Sequence, residues 1–435
     1  MVVVINRILL SLVLLLATLS ARAEIEIQIT RGSDTAIPIA VVPFKWSGPA
    51  RPSDEMGQII GNDLEFSGSF KPLPVSSMLS QPSTSAEVFY RDWKMLGQQY
   101  LVIGRYAYNP AIGQYEGVWE LHDVLKQAKI DSGSAKAGSI RDLSHYAADQ
   151  IFEKLTGIRG IFSTKLLYVT AETQRAKGKR YRLNYSDIDG YRETVLLASP
   201  EPVLSPSWSP DGSKIAYVSF QDKRPAIFIQ ELKTAKQVKI TNFKGINGAP
   251  SWSPDGTRLA MSLSKDGNPE IYVMDVASRQ LKRITSNMFL DTEPSWTPDG
   301  KSLIYTSDRT GRNTAQIYKV NLLTGEETRL TFEGSFNAKA SMTKDGRFMV
   351  YVHRIPGGRD TVAVQDLVKN SINVLTNTDL DESPSVAPNG NMVIYATNSR
   401  GLGLLRVVTL NGGFTVDLPA KYADVREPAW SPFMY

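Results

Sequence analysis

The chain has 435 residues, which is long enough for two or three domains. A composition that is 42% hydrophobic and 21% charged excludes a mainly disordered chain and a protein with several membrane spans. There is no cysteine, which excludes disulfides, iron–sulfur clusters, cysteine-bound zinc and cysteine nucleophiles. The net charge of +5, from 49 Lys and Arg against 44 Asp and Glu, is too small to indicate nucleic-acid binding.

Residues 1–23 have the pattern of a secretory signal peptide. Arg7 precedes an apolar run at 8–16, and an Ala-x-Ala motif ends at Ala23. Because the run is short for a bilayer, we expect cleavage rather than a retained anchor. The mature chain then begins at Glu24 with a net charge of +3, since the leader carries two arginines. No other apolar run reaches ~18 residues, so we expect no membrane insertion and a periplasmic location.

Residues 24–160 contain no repeat and predict a separate α/β domain. The predicted elements are a strand at 37–44, helices at 53–66 and 86–96, strands at 101–108 and 115–125, and a helix between Ser139 as N-cap and Gly157 as stop. We expect 157–161 to act as a hinge. His122 and His145 are predicted to be surface or capping histidines, because no nucleophile or carboxylate cluster lies near them in sequence.

The second half repeats one motif with a period near 44 residues. Pro-Ser-Trp-Ser-Pro-Asp-Gly occurs at 206–212 and 250–256, with one Thr for Ser at 294–300, and weaker copies occur at 340–346 and 384–390. Each copy is followed by a β-branched run. The residues at the Trp position are Trp208, Trp252, Trp296, Met342, Val386 and Trp430. Short strands at this period, joined by Asp-Gly turns, are typical of the blades of a β-propeller, here at 161–435.

The ends of the propeller sequence predict a split blade. Strands at 166–170, 181–187 and 194–198 have no Trp strand before them, whereas the final Trp430 strand has nothing after it. Joining them closes a ring of six blades without an open sheet edge. The predicted fold class is therefore an α/β N-terminal domain followed by an all-β six-bladed propeller with a split, terminus-closed blade. The repeated Trp residues are interpreted as blade core and the Asp-Gly pairs as turns, not as a sugar platform or a calcium loop.

Familiar catalytic motifs are absent from the sequence. It has no Gly-x-Ser-x-Gly, no Gly-x4-Gly-Lys-Ser/Thr, no Gly-x-Gly-x-x-Gly after a strand and no His-Glu-x-x-His. We therefore expect a protein that is not an enzyme and holds no cofactor or metal. The alternatives left open are a propeller that binds a small molecule, a peptide or a metal ion in its channel, and one related to hydrolases.

One face of the predicted propeller has the composition of a protein-docking surface. It carries the loops from strand two to three and from strand four to the next blade. Charged residues near the channel are Asp291, Glu293, Lys339, Asp381, Glu382, Arg426 and Glu427. Basic residues further out are Lys223, Arg224, Arg309, Arg312, Arg354, Arg359 and Arg400. Apolar residues between them are Ile246, Ala249, Leu290, Phe336 and Leu380. The alternative is a solvated face with scattered charges.

Several of these features together resemble the TolB family of the Tol-Pal system of Gram-negative cell envelopes. The resemblance covers essentially the whole chain. It depends on the leader, Ile37-Pro-Ile-Ala-Val-Val-Pro-Phe44, His145-x-x-Ala-Asp149, Leu155-Thr-Gly-Ile-Arg-Gly160 and the Pro-Ser-Trp-Ser-Pro-Asp-Gly series. It implies a periplasmic, monomeric adaptor that helps the outer membrane constrict during division.

The resemblance also implies two partner sites. The peptidoglycan-associated lipoprotein Pal, and colicins that imitate it, would bind the loop face. The implied Pal-binding residues are Ile246, Asn247, Ala249, Thr292, Glu293, Lys339, Glu382 and Arg426. The C-terminal domain of TolA would bind segment 24–34, which in the family changes between a packed and a released form. The implied TolA-binding residues are Glu24, Ile25, Glu26, Ile27, Gln28, Ile29, Thr30 and Asp34.

The residues of segment 24–34 themselves have the pattern of a β-strand. Residues 24–30 alternate polar and apolar side chains like an added strand, and Gly32 supplies a pivot. A plain first strand of the α/β sheet fits the same pattern.

Overall fold

The structure is a computed structural model that describes residues 36–174, 178–311, 314–378, 380–399, 401–418 and 424–434. The predicted leader and the predicted TolA-binding segment at 24–34 lie outside these residues, as do Arg312 and Arg400. Among the described residues, no helix has both the length and the apolar character that crossing a membrane requires.

The first part of the chain forms one mixed sheet. Its strands are β1 (Ile37–Val41), β2 (Lys45–Trp46), β3 (Phe70–Pro72), β4 (Tyr100–Asn109), β5 (Gln114–Asp123) and β6 (Ala128–Ala137). The order is β3-β1-β4-β5-β6, and β2 pairs with β4. β1 runs parallel to β3 and β4, whereas β4, β5 and β6 are antiparallel neighbours. The sequence did not predict β6, because its Ala, Ser, Lys and Gly residues have low strand propensity.

Three helices accompany this sheet: α1 (Met56–Phe66), α2 (Tyr90–Met95) and α3 (Ile140–Thr156). α1 begins three residues later than predicted because the carboxylate of Glu55 caps it, accepting the N–H groups of Gly57 and Gln58. The predicted ends of α3 are confirmed. Ser139 Oγ accepts the N–H of Asp142 at 3.1 Å, and Gly157 takes a left-handed conformation with φ of 74°.

Six four-stranded antiparallel sheets follow, as the repeat predicted. Blade 1 has β10 (Val203–Trp208), β11 (Lys214–Ser219), β12 (Ala226–Glu231) and β13 (Gln237–Lys239). Blade 2 has β14 (Asn247–Trp252), β15 (Arg258–Leu263), β16 (Glu270–Asp275) and β17 (Leu281–Arg283). Blade 3 has β18 (Asp291–Trp296), β19 (Ser302–Ser307), β20 (Gln316–Asn321) and β21 (Glu327–Arg329).

The remaining blades have the same order. Blade 4 has β22 (Phe336–Met342), β23 (Phe348–Arg354), β24 (Thr361–Asp366) and β25 (Ser371–Val374). Blade 5 has β26 (Glu382–Val386), β27 (Met392–Ser399), β28 (Leu402–Thr409) and β29 (Thr415–Asp417). Blade 6 joins the last strand, β30 (Val425–Trp430), to β7 (Lys165–Gln174), β8 (Gly178–Asp187) and β9 (Thr194–Ser199). The pairing of Trp430 with Leu166 agrees with the predicted split blade.

The repeated residues have the structural roles predicted for them. The four repeat tryptophans are buried, and the indole N–H of Trp208 reaches across to the carbonyl of Ala429 in blade 6 at 3.0 Å. In the first turn, Asp211 accepts the N–H of Ser213, and Gly212 has φ of 68°. The Trp position is therefore core between blades, and the Asp-Gly position is a tight turn.

The connection between the two parts is packed, which differs from the predicted hinge. Ile161 and Phe162 are buried, and Asp149 of α3 accepts the N–H groups of Phe162 at 2.6 Å and Ser163 at 3.1 Å. Gly160 approaches α3 so closely that a Cβ there would meet the Cα of Asp149 at 2.4 Å. Side-chain capping of this linker by Asp149, 11 residues before Gly160, could not be read from its Gly-rich sequence.

Candidate functional site

The first strands of the six blades surround a central channel of about 540 Å³. One position of the repeat lines it in every blade, three residues before the Trp position. These residues are Ser205, Ala249, Glu293, Lys339, Ser383 and Glu427. All six have left-handed backbones, with φ between 47° and 54°. Each lies at an irregularity in the pairing of its blade's first two strands, as expected for a β-bulge.

The left-handed conformation is unfavourable for these non-glycine residues. It costs about 1–3 kcal/mol at each position and persists only where the surrounding structure enforces it. Five of the six precede a proline, which the channel also exposes. The bulges therefore aim a ring of side chains into the channel with little conformational freedom. The ring could not be predicted from the sequence, because a repeat of ordinary residues gives no sign of a positive φ.

Three ring members, Glu293, Lys339 and Glu427, are charged. Glu293 Oε2 accepts the hydroxyl of Thr306 at 2.9 Å and the backbone N–H of Lys339 at 3.1 Å. The carboxylate of Glu427 accepts the N–H of Ser205 from blade 1. The contacts with Lys339 and Ser205 cross from one blade to the next, so both carboxylates are fixed at the junctions between blades.

Lys339 is a cation held inside this acidic ring. Its Nζ donates to Ser383 Oγ at 2.9 Å. Burial alone would lower the pKa of Lys339, but the charges of Glu293, Glu427 and Glu382 raise it above its usual value. The lysine therefore remains charged at neutral pH and offsets part of the negative charge around it.

The polar residues that begin these strands are not all at the surface. Asn247, Asp291 and Asp381 are buried, and each is hydrogen-bonded to the loop that leads into its strand. The amide of Asn247 donates to the carbonyl of Phe243 at 2.8 Å. Asp381 accepts the hydroxyl of Thr397 at 2.6 Å. These side chains hold the loops in place from beneath, whereas Thr292, Glu382 and Arg426 reach the surface to a greater degree.

Apolar side chains rise around the channel mouth on the loop face. Ile246 and Leu380 are each 45% exposed, and Leu290 is 47% exposed. Met288, at 85%, was not among the predicted apolar residues. The structure thus brings together apolar loops and the charged ring, as the sequence predicted, although burial withdraws Asn247 from the outer surface.

The basic rim is partly occupied by contacts within the protein. Arg354 forms a two-pronged pair with Asp360, at 2.6 and 2.8 Å. Arg309 pairs with Glu327 and Asp291. Lys223 and Arg224 are exposed. The rim is therefore less positive than the count of its residues suggested.

The prediction of surface or capping positions for His122 and His145 was wrong. Both are fully buried. His122 Nδ1 lies 2.9 Å from the hydroxyl of Tyr90, and His145 Nδ1 lies 2.7 Å from Asp63 Oδ2. Asp63 is 82 residues from His145, so a search for nearby carboxylates in the sequence could not find it.

His145 belongs to a set of charged residues that we call the junction cluster. It joins α1 and α3 to β7 and to the turn between β8 and β9. Its members are Asp63, Arg141, Asp142, His145, Lys165, Asp187, Asp189 and Arg192. Asp63, His145 and Asp189 form the one group within the described ranges whose spacing suits a metal ion. The guanidinium of Arg141 already donates to Asp189, so the arrangement is one of ion pairs.

Both parts of the chain are similar to proteins of one family. The model of the TolB amino-terminal domain matches residues 25–130, and that of the TolB beta propeller domain matches 152–434. Tol-Pal system protein TolB of Pseudomonas aeruginosa is 52% identical over 418 residues, which are 95% of this chain and 96% of that protein. TolB of Pseudomonas fluorescens Pf-5 is 50% identical over 422 residues, 96% of each chain.

A solved structure supports the same relation. The crystal structure of TolB from Acinetobacter baumannii superposes with a TM-score of 0.84 at 41% sequence identity, covering 93% of this chain and 98% of that one. Two domain models, near-full-length relatives at about half identity and a matching architecture agree, and the chain belongs to the TolB family of the Tol-Pal system.

Proposed function

We propose that the chain is a periplasmic, non-enzymatic adaptor of the Tol-Pal system. It binds the peptidoglycan-associated lipoprotein Pal through the loop face and the C-terminal domain of TolA through segment 24–34. It acts as a monomer without a cofactor and supports outer-membrane integrity and constriction during cell division. Colicins compete with Pal for the loop face.

The channel mouth is the observation that supports this proposal most strongly. Three of the six members of the channel ring are charged. Exposed apolar residues of the loop face, Ile246, Leu290 and Leu380, each lie three residues before a ring position. Protein interfaces combine an apolar area, which supplies affinity, with a few placed polar groups, which supply specificity. Because contacts between blades hold the carboxylates of Glu293 and Glu427, little side-chain entropy is lost when a partner binds them. Lys223 and Arg224 on the rim then affect the association rate more than the affinity.

Reversal of the charge at Glu293 tests the loop face. In Glu293→Arg a guanidinium replaces the carboxylate that accepts from Thr306 and Lys339, and it places a second cation beside Lys339. We expect the affinity for the soluble domain of Pal, measured by titration calorimetry, to fall by ~100-fold or more. Glu326→Arg is the matched control, since it makes the same charge change on an exposed turn between strands three and four of blade 3.

An unchanged affinity for Pal in a folded Glu293→Arg protein would contradict the proposed site. An equal loss in both variants would assign the effect to net charge rather than to the channel. If neither the mature chain nor any variant binds Pal, the partner assignment is wrong and ligands of the channel become the subject of the search.

Deletion of residues 24–34 tests the second site. We expect the deleted protein to lose binding to the C-terminal domain of TolA while its thermal unfolding stays unchanged. Linkage requires that, if Pal binding alters how this segment is held, its deletion also alters the affinity for Pal. TolA binding that survives the deletion would place that site elsewhere on the chain.

A further inference from the structure

The junction cluster lies on the side of the propeller opposite the loop face. The turn from Asp187 to Arg192 connects strands three and four of blade 6, and such turns lie at the end of the blade away from the loop face. Other contacts with the α/β domain come from the same side. Asn389, in a turn after strand one, donates to the carbonyl of Arg159 at 3.0 Å, and Gly68 lies against Phe414. The cluster is thus part of the seam between the two parts of the protein.

Asp187 is the centre of the cluster. It pairs with Arg192 through two hydrogen bonds of 2.7 and 2.9 Å and accepts from Lys165 Nζ at 2.6 Å. Arg141 Nε of α3 donates to it at 3.3 Å. Arg192 also reaches Asp142 at 2.6 Å. One buried carboxylate from the propeller therefore holds side chains from both parts.

With all four of its carboxylates ionised, the cluster is neutral when His145 is protonated. The four carboxylates face the basic side chains of Arg141, Lys165 and Arg192, and a protonated His145 supplies the fourth positive charge. His145 Nδ1 lies 2.7 Å from Asp63 Oδ2, and His145 Nε2 lies 3.7 Å from Asp187 Oδ2. Asp149, further along α3, is a neighbouring carboxyl whose burial raises its pKa to about 6. Removal of one charge would leave a buried charge without its partner.

Apolar contacts across the same seam have a different character. Buried side chains of α3, of the linker and of blades 5 and 6 form one continuous hydrophobic cluster, which includes Leu143, Phe162, Leu166 and Met392. Hydrophobic contact is non-directional and tolerates small rotations and sliding of the surfaces. Hydrogen-bonded ion pairs require a particular distance and angle.

We propose that the junction cluster is an orientation latch: apolar contacts keep the α/β domain on the propeller, and the ion pairs around Asp187 and His145 select a single angle between them. Loss of one charge leaves the two parts attached but lets the α/β domain take several orientations. This inference does not depend on the identity of any partner. It concerns how the two parts that carry the proposed partner sites are held.

Distance measurement between spin labels tests the latch. Because the chain has no cysteine, labels can be placed at Lys129→Cys on β6 and Lys236→Cys on the β12–β13 turn, both of which are exposed. The mature chain should show one narrow distance distribution at pH 7. Asp187→Asn and His145→Asn should each broaden it or add a second population. His122→Asn is the matched control, because His122 is equally buried but belongs to the α/β domain alone.

Each result decides for or against the latch. A narrow, unshifted distribution in folded Asp187→Asn and His145→Asn proteins would overturn it, as would equal broadening in His122→Asn. If the two variants do not fold, the unmodified sequence carrying the labels is titrated instead. Its distribution should broaden at the alkaline pH at which NMR of the His145 ring shows that the histidine has lost its proton, and a distribution that stays narrow there would reject the proposal.

Discussion

Deletion of residues 427–435 should leave the propeller unable to fold into a stable ring. The deleted piece contains most of β30, which pairs with β7 and carries the buried Trp430. The indole N–H of Trp430 donates to Thr164 Oγ1 at 2.8 Å, and Ser431 Oγ accepts the N–H of Lys165 at 2.9 Å. Loss of one buried tryptophan side chain alone costs about 3–5 kcal/mol, against a total stability of about 5–15 kcal/mol for a domain.

The loss also reaches the neighbouring blades. The carbonyl of Ala429 accepts from Trp208 of blade 1, and the N–H of Trp430 donates to Ser385 of blade 5 at 2.9 Å. Thermal unfolding followed by circular dichroism should show no cooperative transition in the deleted protein. The Trp430→Phe protein should retain a cooperative transition, because phenylalanine keeps an aromatic side chain in the core and loses only the indole hydrogen bond. Addition of a synthetic 424–435 peptide should restore part of the transition. An unchanged transition after the deletion would refute closure by the terminus.

The propeller could be predicted in detail from the sequence because its code is local and repeated. The Trp position and the Asp-Gly turn recur every 44–46 residues, and the hydrogen bond that forms the first turn lies within its own motif. The caps of α3 were predictable for the same reason: Ser139 and Gly157 act within one helical turn. Local patterns of this kind are visible without knowledge of distant contacts.

The seam could not be predicted because its partners are distant in sequence. Asp63 and Asp187 lie on opposite sides of His145 along the chain, and no spacing rule connects them. Strand β6 was missed for a related reason, since it exists through pairing with β5 rather than through its own propensity. The left-handed backbone of the channel ring could not be predicted either, because glutamate and lysine, as at Glu293 and Lys339, are not residue types that indicate a positive φ.

Replacement of Asp187 by alanine should be the most damaging single change at the seam. It removes the shared acceptor of Arg192, Lys165 and Arg141. The two buried cations, Arg141 and Lys165, then keep only their ion pairs with Asp189 and Asp142. Breaking a buried ion pair from one side costs about 3–5 kcal/mol, so we expect a loss of that size in the free energy of unfolding. Glu116→Ala is the control: it breaks the surface pair with Lys136 and should have no measurable effect. Equal stability of the two variants would show that the cluster adds nothing to folding.

The pH dependence of stability should reveal the charge state of His145. Burial alone would lower the pKa of His145, but the charge of Asp63 and hydrogen bonding to Asp187 and Asp63 raise it to about 10. A raised pKa in the folded state means that this stabilisation is complete below the unfolded pKa of ~6.5 and is lost as pH rises toward 10. The pKa of Asp187 is shifted in the opposite direction. Although burial would raise its pKa, hydrogen bonds from His145 and Arg192 and the charge of Lys165 hold it well below its usual value.

The contribution of Asp187 is therefore present above pH ~4 and decreases in more acidic solution. We expect the free energy of unfolding, from urea titrations, to be highest between these two limits and to fall by an amount of the order of 3 kcal/mol between pH 6.5 and 10. In His145→Asn the decrease in the free energy of unfolding at alkaline pH should disappear, while the decrease at acidic pH remains. An alkaline fall of the same size in His145→Asn would mean that another group causes the fall and that the positive charge assigned to His145 is wrong.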